Sequence, residues 1–153
     1  LLVFVAFVAL TALGLQESRV FLVQSSPQGV ILTINYAYYH DLDRDYRRDD
    51  IWTEFTLRTA SGQREDISSY VRLYLYLPSG RRFFTDFYLY GTYSRVQLGT
   101  AWFNTAIESG WYCFIVYVTA VGNNWIQNVD EAGYFDPPTK AGPGTPYCSI
   151  YIL

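Results

Sequence analysis

The chain contains no methionine, one lysine, one histidine and two cysteines among its 153 residues. Two cysteines cannot by themselves build a structural zinc site, and the lone His40 adds little to them. The sequence also lacks a nucleophile set, a phosphate-binding glycine loop and a nucleophile elbow. It therefore gives no support to an enzyme, and no cofactor is expected.

Charge is also scarce. Only 16% of the residues are charged, and the net charge is -3. Because no basic surplus exists to neutralise phosphates, nucleic acid is not expected as a partner. Half of the residues are apolar, so the chain is expected to fold rather than to remain disordered. No Asn-x-Ser/Thr acceptor occurs, and N-glycosylation is not expected.

Aromatic residues, by contrast, are abundant. Fifteen tyrosines, ten phenylalanines and four tryptophans make up 19% of the chain. Such side chains are enriched in β-strands and at protein interfaces. The composition therefore favours a strand-rich fold that makes contacts with other molecules.

The first fifteen residues, Leu1 to Leu15, carry no charge. Residues 1–24 are predicted to form a helix that is apolar all round over its first part, which implies burial on every side. Fifteen helical residues span about 22 Å, which is short of the roughly 30 Å hydrocarbon core of a membrane. Ordinary secretory cleavage removes such a segment, so its retention in a chain without methionine suggests cleavage before it. Pro27 and Gly29 mark a hinge over 25–29.

From Val30 the apolar period changes to two, the signal for strands. Alternation predicts strands over 30–39, 51–58, 70–77 and 83–90, with a short strand or turn over 99–107. Residues 111–121 are apolar on both sides, which predicts a central strand, and a last strand is predicted over 147–153. Residues 122–146 are rich in Gly, Pro and Asn and are predicted to form a long connection. Residues 30–153 are thus expected to form an antiparallel, immunoglobulin-like β-sandwich of seven or eight strands. The expected fold class is mainly β with one long N-terminal α-helix.

An apolar helix over Leu1 to Val23 that leads into a tyrosine-rich sandwich resembles the archaeal type IV pilin family, which includes the archaeal flagellins. Bacterial type IV pilins typically have Glu as the fifth mature residue, whereas this chain has Val5, which points towards the archaeal branch. The resemblance implies a structural subunit of an extracellular adhesion filament. The membrane would hold the helix before assembly, and copies of the same chain afterwards. The expected filament-core contacts are Leu1, Phe4, Phe7, Leu10, Leu13, Glu17 and Arg19.

Two alternatives remain open. Residues 1–24 could insert as a donor strand into the sandwich of the next subunit. A donor strand should alternate in character, and this segment does not. The chain could instead be a cell-surface binding domain on a membrane anchor.

Asp41, Asp43 and Asp45 have the alternate spacing of calcium-binding loops. The EF-hand version also requires Gly and Glu at positions where this chain has Tyr46 and Trp52. A looser site could draw on two further aspartates, and a salt-bridged loop could instead pair the acids with three arginines. These residues are Asp49, Asp50, Arg44, Arg47 and Arg48.

Two further features are candidates for bonds or contacts. Cys113 and Cys148 suit one disulfide in an exported protein. An outward aromatic row is predicted on the hairpin of 70–90. It could serve as a contact between subunits, as part of an inner face or as a binding surface for polysaccharide. Its members are Tyr70, Tyr74, Tyr76, Phe84, Tyr88 and Tyr90.

Overall fold

A computed structural model describes residues 27–137 and 144–153, and in these ranges the chain folds into eight β-strands. The strands are β1 (Val30–His40), β2 (Asp50–Thr59), β3 (Glu65–Tyr76), β4 (Arg82–Tyr93), β5 (Arg95–Phe103), β6 (Tyr112–Gly122), β7 (Trp125–Phe135) and β8 (Tyr147–Ile152). The first strand begins at Val30, the residue at which the apolar alternation begins.

The predicted fold class, mainly β with one long N-terminal α-helix, is wrong for the part of the chain that the structure describes. All regular structure there is strand, because apolar residues at every second position suit strands throughout. No helix in these ranges is long and apolar enough to cross a membrane. The helix predicted over 1–24 lies outside the described residues. So do the predicted filament-core residues Leu1, Phe4, Phe7, Leu10, Leu13, Glu17 and Arg19.

The strands form two antiparallel four-stranded sheets. Sheet A has the order β1-β2-β5-β8, and sheet B has the order β4-β3-β6-β7. Every second residue points between the sheets, where the rings of Phe55, Trp102 and Phe114 pack together, with centroid separations of 6.3 and 6.4 Å. At one side of the sandwich β1 lies against β7, and the Val30 amide donates a 2.7 Å hydrogen bond to Gln127 Oε1.

The prediction that residues 122–146 form a long connection is wrong. Strand β7 occupies Trp125–Phe135 within that range and pairs with β6. The two strands are joined by the two-residue turn Asn123-Asn124, in which Asn124 has a φ of 67°. Asparagine tolerates this left-handed conformation, which such hairpin turns require. The apolar alternation of β7 is weak because its inward positions include Gln127 and Gly133.

Packing on the outward side of sheet A requires a residue without a side chain at position 99, which is Gly99. A Cβ atom there would lie 2.4 Å from Cζ2 of Trp52. The Trp52 ring cannot easily move away, because its Nε1 donates a 2.9 Å hydrogen bond to Glu54 and its ring packs on Tyr151 at 5.5 Å. The absence of a side chain at Gly99 therefore allows Trp52 to lie flat on β5.

We expect Gly99→Ala to lower the free energy of unfolding by about 1–3 kcal/mol, because the new methyl group overpacks the site beneath Trp52. Gly91→Ala is the matched control, since a Cβ atom at that strand position meets only Tyr93 Cδ1 at 3.9 Å. Urea unfolding of the full chain, followed by tryptophan fluorescence, measures both variants. Equal stabilities for the two variants would contradict the packing described here.

Candidate functional site

The loop between β1 and β2 gathers three carboxylates. Asp41, Asp43 and Asp50 each offer one oxygen, and the three oxygens lie within 4.8 Å of one another. Asp50 is completely buried at the start of β2, whereas Asp43 is exposed. The cluster therefore lies between a fixed strand end and the solvent.

Backbone amides orient these side chains. Asp41 Oδ2 accepts a 3.0 Å hydrogen bond from the Tyr46 amide, and Asp43 Oδ1 accepts a 3.2 Å bond from the Asp45 amide. In each case the other carboxylate oxygen receives no hydrogen bond from the described residues. One oxygen of each carboxylate is held while the other remains available.

Asp50 joins the loop to sheet A. Its Oδ2 accepts hydrogen bonds from the Leu42 amide at 2.7 Å and the Asp43 amide at 3.2 Å. Its Oδ1 accepts a 2.8 Å bond from the Asn104 amide, just beyond the end of β5. The cluster is thus attached to two neighbouring strands.

Of the three aspartates predicted to bind calcium, two lie in the cluster and the third does not. The structure brings Asp41 and Asp43 together with Asp50, and not with Asp45. The Asp45 carboxylate instead accepts a 2.9 Å hydrogen bond from the Arg47 amide. Arg44 has a φ of 64°, so the chain bends immediately before Asp45. No spacing rule in the sequence connects Asp50 with the first two aspartates, because the fold brings the strand end back to the loop.

Two carboxylates near this cluster have unpaired oxygens. Asp49 is completely buried, and neither of its carboxylate oxygens has a hydrogen-bond partner among the described residues. Asp41 Oδ1 is shielded from solvent and likewise has no partner in the part of the chain that the structure describes. Burial raises the pKa of Asp49, and the negative charge of Asp45 raises it further. Partial desolvation within the loop likewise raises the pKa of Asp43, and the negative charges of Asp50, Asp45 and Asp41 raise it further.

The outward side of sheet B carries the predicted aromatic row, and we call this surface the sheet B face. Its rings contact one another within and between strands, with Tyr70 and Tyr88 5.2 Å apart and Tyr88 and Tyr90 stacked at 6.0 Å. Tyr88 is 65% exposed and Tyr90 is 68% exposed. The face comprises Tyr70, Tyr74, Tyr76, Phe84, Tyr88, Tyr90 and Tyr117. All six residues predicted from the hairpin are on this face.

Tyr117 was missed, because β6 was interpreted as apolar on both sides. Its ring meets Tyr74 edge-on at 5.8 Å. The signal was present in the alternation: Val116 and Val118 are buried, whereas Tyr117 between them is 44% exposed. The sheet B face therefore extends over a third strand.

A polar group lies at the centre of the sheet B face. Arg72 Nη2 is 2.7 Å from Asp86 Oδ2, and the Tyr70 hydroxyl donates a 2.8 Å hydrogen bond to the same oxygen. The Arg72 guanidinium also lies 5.5 Å from the centre of the Tyr70 ring. Hydrogen bonds from Arg72 and then Tyr70 hold the pKa of Asp86 below its usual range. An open groove of about 410 Å³ runs over this group towards Asp130 on β7.

The outward side of sheet A, which we call the sheet A face, carries a second aromatic group that the sequence did not indicate. It contains Tyr36, Tyr38, Trp52, Tyr147 and Tyr151. The Tyr36 and Trp52 rings lie beside Glu54, which is only 4% exposed. Glu54 Oε1 accepts hydrogen bonds from the Tyr36 hydroxyl and from Trp52 Nε1. Its Oε2 accepts a 2.7 Å bond from Gln97. Burial raises the pKa of Glu54, but these three hydrogen bonds outweigh it and hold the pKa below its usual value.

Both cysteines are free in the structure, so the predicted disulfide is not formed. Cys113 lies on sheet B between Tyr112 and Phe114, which both point inward and are fully buried, so Cys113 points outward. Cys148 lies on β8 of sheet A and packs against the core. Because the two residues lie on different sheets and point in different directions, their sulfur atoms do not face each other. Burial raises the pKa of the Cys148 thiol to about 12, which makes it unreactive.

Comparisons with models of known protein families, with curated proteins and with solved structures find no match to this chain.

We expect Arg72→Gln to raise the pKa of Asp86 towards its ordinary value, because the closest positive charge is removed. A depressed carboxyl pKa contributes stability that is present above the pKa of the unfolded chain and is lost as the pH falls through the folded value. The variant should therefore show a weaker loss of stability in this acidic range. Carbon-13 NMR titration of the Asp86 carboxyl and acid unfolding of the full chain measure the two effects.

Arg82→Gln is the control. Arg82 lies on the same face, 5.6 Å from the centre of the Tyr74 ring, and does not pair with Asp86. It should leave the pKa of Asp86 unchanged. Equal shifts in both variants would show that the effect comes from the general charge of the face and not from the contact.

Proposed function

We propose that this chain is a structural subunit of an extracellular filament, in which each sandwich contacts further copies of the same chain. The observation that supports this proposal is that both outer sides of the sandwich are aromatic. Sheets that face water usually carry polar residues on that side. Exposed apolar surfaces of this kind usually mark sites of contact.

The two aromatic faces lie on opposite sides of one sandwich. On the sheet A face Tyr36, Tyr147 and Tyr151 are 48%, 52% and 43% exposed. On the sheet B face Tyr88 and Tyr90 are more exposed still. A contact between two different faces gives a ring if the rotation between copies closes and an open filament if it does not, and the proposed assembly is the open case. A single aromatic face would instead favour a closed dimer.

Exposed charges of opposite sign occur on the two faces. Arg58 and Arg95 are exposed and stand opposite each other on neighbouring strands of sheet A. Neither forms an ion pair within the described residues. Asp66 and Asp130 are exposed on sheet B. A copy that places its sheet A face on the next sheet B face can therefore bring arginines near aspartates.

The size of a face is consistent with a repeated, individually weak contact. Four strands about 4.8 Å apart and about 30 Å long give an area on the order of 600 Å². A standard stable interface buries roughly 800 Å² per partner. One face therefore falls somewhat short of a stable pair by itself. The uncharged segment Leu1 to Leu15 would supply a further contact, with the membrane before assembly and with neighbouring copies afterwards.

A second candidate is a membrane-anchored cell-surface domain that binds envelope polysaccharide. The groove on the sheet B face favours it, because tyrosine rings line the groove together with Asn128 and Asp130. Rings can stack on sugars, while the amide and carboxylate can hydrogen-bond to hydroxyl groups. This candidate requires the sheet B face alone, whereas the filament requires both faces.

We expect the full chain to form filaments when it is purified in detergent and the detergent is then removed. The double variant Tyr88→Ser/Tyr90→Ser on sheet B should abolish most of the filaments, and so should Tyr38→Ser on sheet A. Each change removes exposed aromatic surface with little loss of core packing. Negative-stain electron microscopy and sedimentation measure assembly, and circular dichroism checks that the variants remain folded.

Tyr46→Asn is the control, because Tyr46 is 97% exposed in the β1–β2 loop and belongs to neither face. Asparagine also tolerates the φ of 69° at this position. The control should assemble like the unaltered chain. A full chain that stays monomeric at all concentrations would refute the filament. The second candidate would be favoured if the chain were retained on polysaccharide and only the sheet B variant lost that retention.

A further inference from the structure

The two sides of the sandwich differ in how they are closed. At one side the edge strands β1 and β7 pack against each other. At the other side β4 and β8 are the edge strands, and among the described strands these two make no comparable contact. A cavity of about 240 Å³ lies between them, and its lining includes Phe83, Trp102, Tyr147 and Cys148. The sandwich is therefore open along this side.

Apolar side chains of β8 that point between the sheets are left uncovered there. Ile152 lies opposite Leu98, which is inward and 1% exposed, and residues opposite each other share a face of the sheet. Ile152 therefore also points inward, yet it is 72% exposed. Cys148 and Ile150, the other inward residues of β8, are only half-buried. At the closed side Val30 is 2% exposed, so the core is incomplete along β8 alone among these two edges.

The inward residues of β4 face the same gap. Phe83 lies opposite Leu75 and Phe87 opposite Val71, and both phenylalanines are only partly buried although their partners on β3 are completely buried. The inward residues of β4 and β8 carry no charge. An uncharged apolar occupant suits such walls. We call this gap the β4–β8 cleft, and its walls are Phe83, Phe87, Cys148, Ile150 and Ile152.

We propose that Leu1 to Leu15 of one copy occupy the β4–β8 cleft of the next copy in an extended conformation. This inference rests on the proposed filament and names a contact that links its successive copies. The segment carries no charge, as the walls of the cleft require. Stacked sheets lie about 10 Å apart, and a helix with its side chains is about 10–12 Å wide. A helix is therefore too wide for the gap, whereas an extended chain is narrower.

The lack of alternation in this segment suits the position. A strand with one face in water alternates between apolar and polar residues, whereas a strand covered on both faces is continuously apolar. One wall of the cleft belongs to sheet B and the other to sheet A, so an occupant has an apolar wall on each side. Fifteen extended residues span about 50 Å, which exceeds the roughly 20 Å of the six residues of β8. The contact is made by side chains and does not require one sheet edge to pair with another.

The position of β1 favours a neighbouring copy as the source of the segment. β1 is the edge strand of sheet A opposite β8. It starts at Val30, at the end of the sandwich where β8 finishes, whereas the cavity lies beside the start of β8. The segment before β1 therefore leaves from the corner diagonal to the cavity. When that segment fills the cleft of the next copy, the contact is head-to-tail, and repeating it extends the assembly.

Disulfide trapping between copies of the full chain tests this contact. Val8→Cys places a thiol in the segment of one chain, and Ile152→Cys places one in the cleft of another, both in the background Cys113→Ser/Cys148→Ser. The two chains are mixed in detergent, the detergent is removed, and the mixture is oxidised mildly. We expect at least about tenfold more crosslinked pairs of the two chains than in the control, because the bound segment holds the thiols at a high effective concentration. Mass spectrometry identifies the crosslinked peptides, and circular dichroism checks the fold.

Ile126→Cys, in place of Ile152→Cys, is the matched control. Ile126 is 73% exposed and lies opposite Val121 on the outward side of sheet B. Equal yields from the two positions would overturn the proposal, since they indicate random collisions of an apolar segment. A chain with both Val8→Cys and Ile152→Cys that crosslinks only within itself would also overturn it, because the segment would then fill its own cleft.

Electron microscopy of the same samples separates this contact from the filament itself. Filaments that form without the crosslink would overturn the cleft contact and leave the proposed function standing. A full chain that stays monomeric after the detergent is removed would overturn both.

Discussion

The strict two-residue alternation of the strands is the constraint on which the other features depend. On β3, Val71, Leu73 and Leu75 are completely buried, while Arg72 and Tyr74 between them point outward. A register shift of one residue would exchange these two sets and place a guanidinium in the core. Because the same register places Arg72 opposite Asp86, the core and the centre of the sheet B face are fixed by one pairing. The outward aromatic surface is therefore a consequence of how the core is packed.

Buried carboxylates on β2 and its leading edge show why burial alone does not identify a site. Glu54 is 4% exposed, and three donors satisfy its oxygens. Such a carboxylate stabilises the fold and has little left to offer a ligand. Asp49 is equally buried, but no donor within residues 27–137 or 144–153 reaches its carboxylate. The two residues differ in their hydrogen-bond partners. Donors offset the desolvation cost of burying Glu54, whereas nothing described offsets that cost for Asp49.

The sequence predicted the features that depend on alternation and missed those that depend on tertiary closeness. Most strands and the tyrosines of the 70–90 hairpin followed from period two, because each residue's side is determined locally. β7 was missed because Gln127 and Gly133 interrupt its apolar pattern, although a 25-residue connection without structure was itself a warning. The sequence offered Asp50 only as one of two possible additions to the loop aspartates, since its closeness to Asp41 requires the fold to bring the strand end to the loop. The same applies to Glu54 and its three donors.

The edges of the two sheets bear on how copies can associate. Unpaired edge strands are the usual route by which β-proteins join, and this chain protects each of them. β1 has a bulge between Ile34 and Tyr36, and β8 is only six residues long. β4 carries Arg82 and Asp86, while β7 has the exposed pair Asp130-Glu131. Charges, bulges and short strands all hinder pairing of one sheet edge with another. Protected edges would leave the aromatic faces as the route by which the sandwiches of neighbouring copies associate in the proposed filament. That route also permits the different-face contact that an open-ended filament requires.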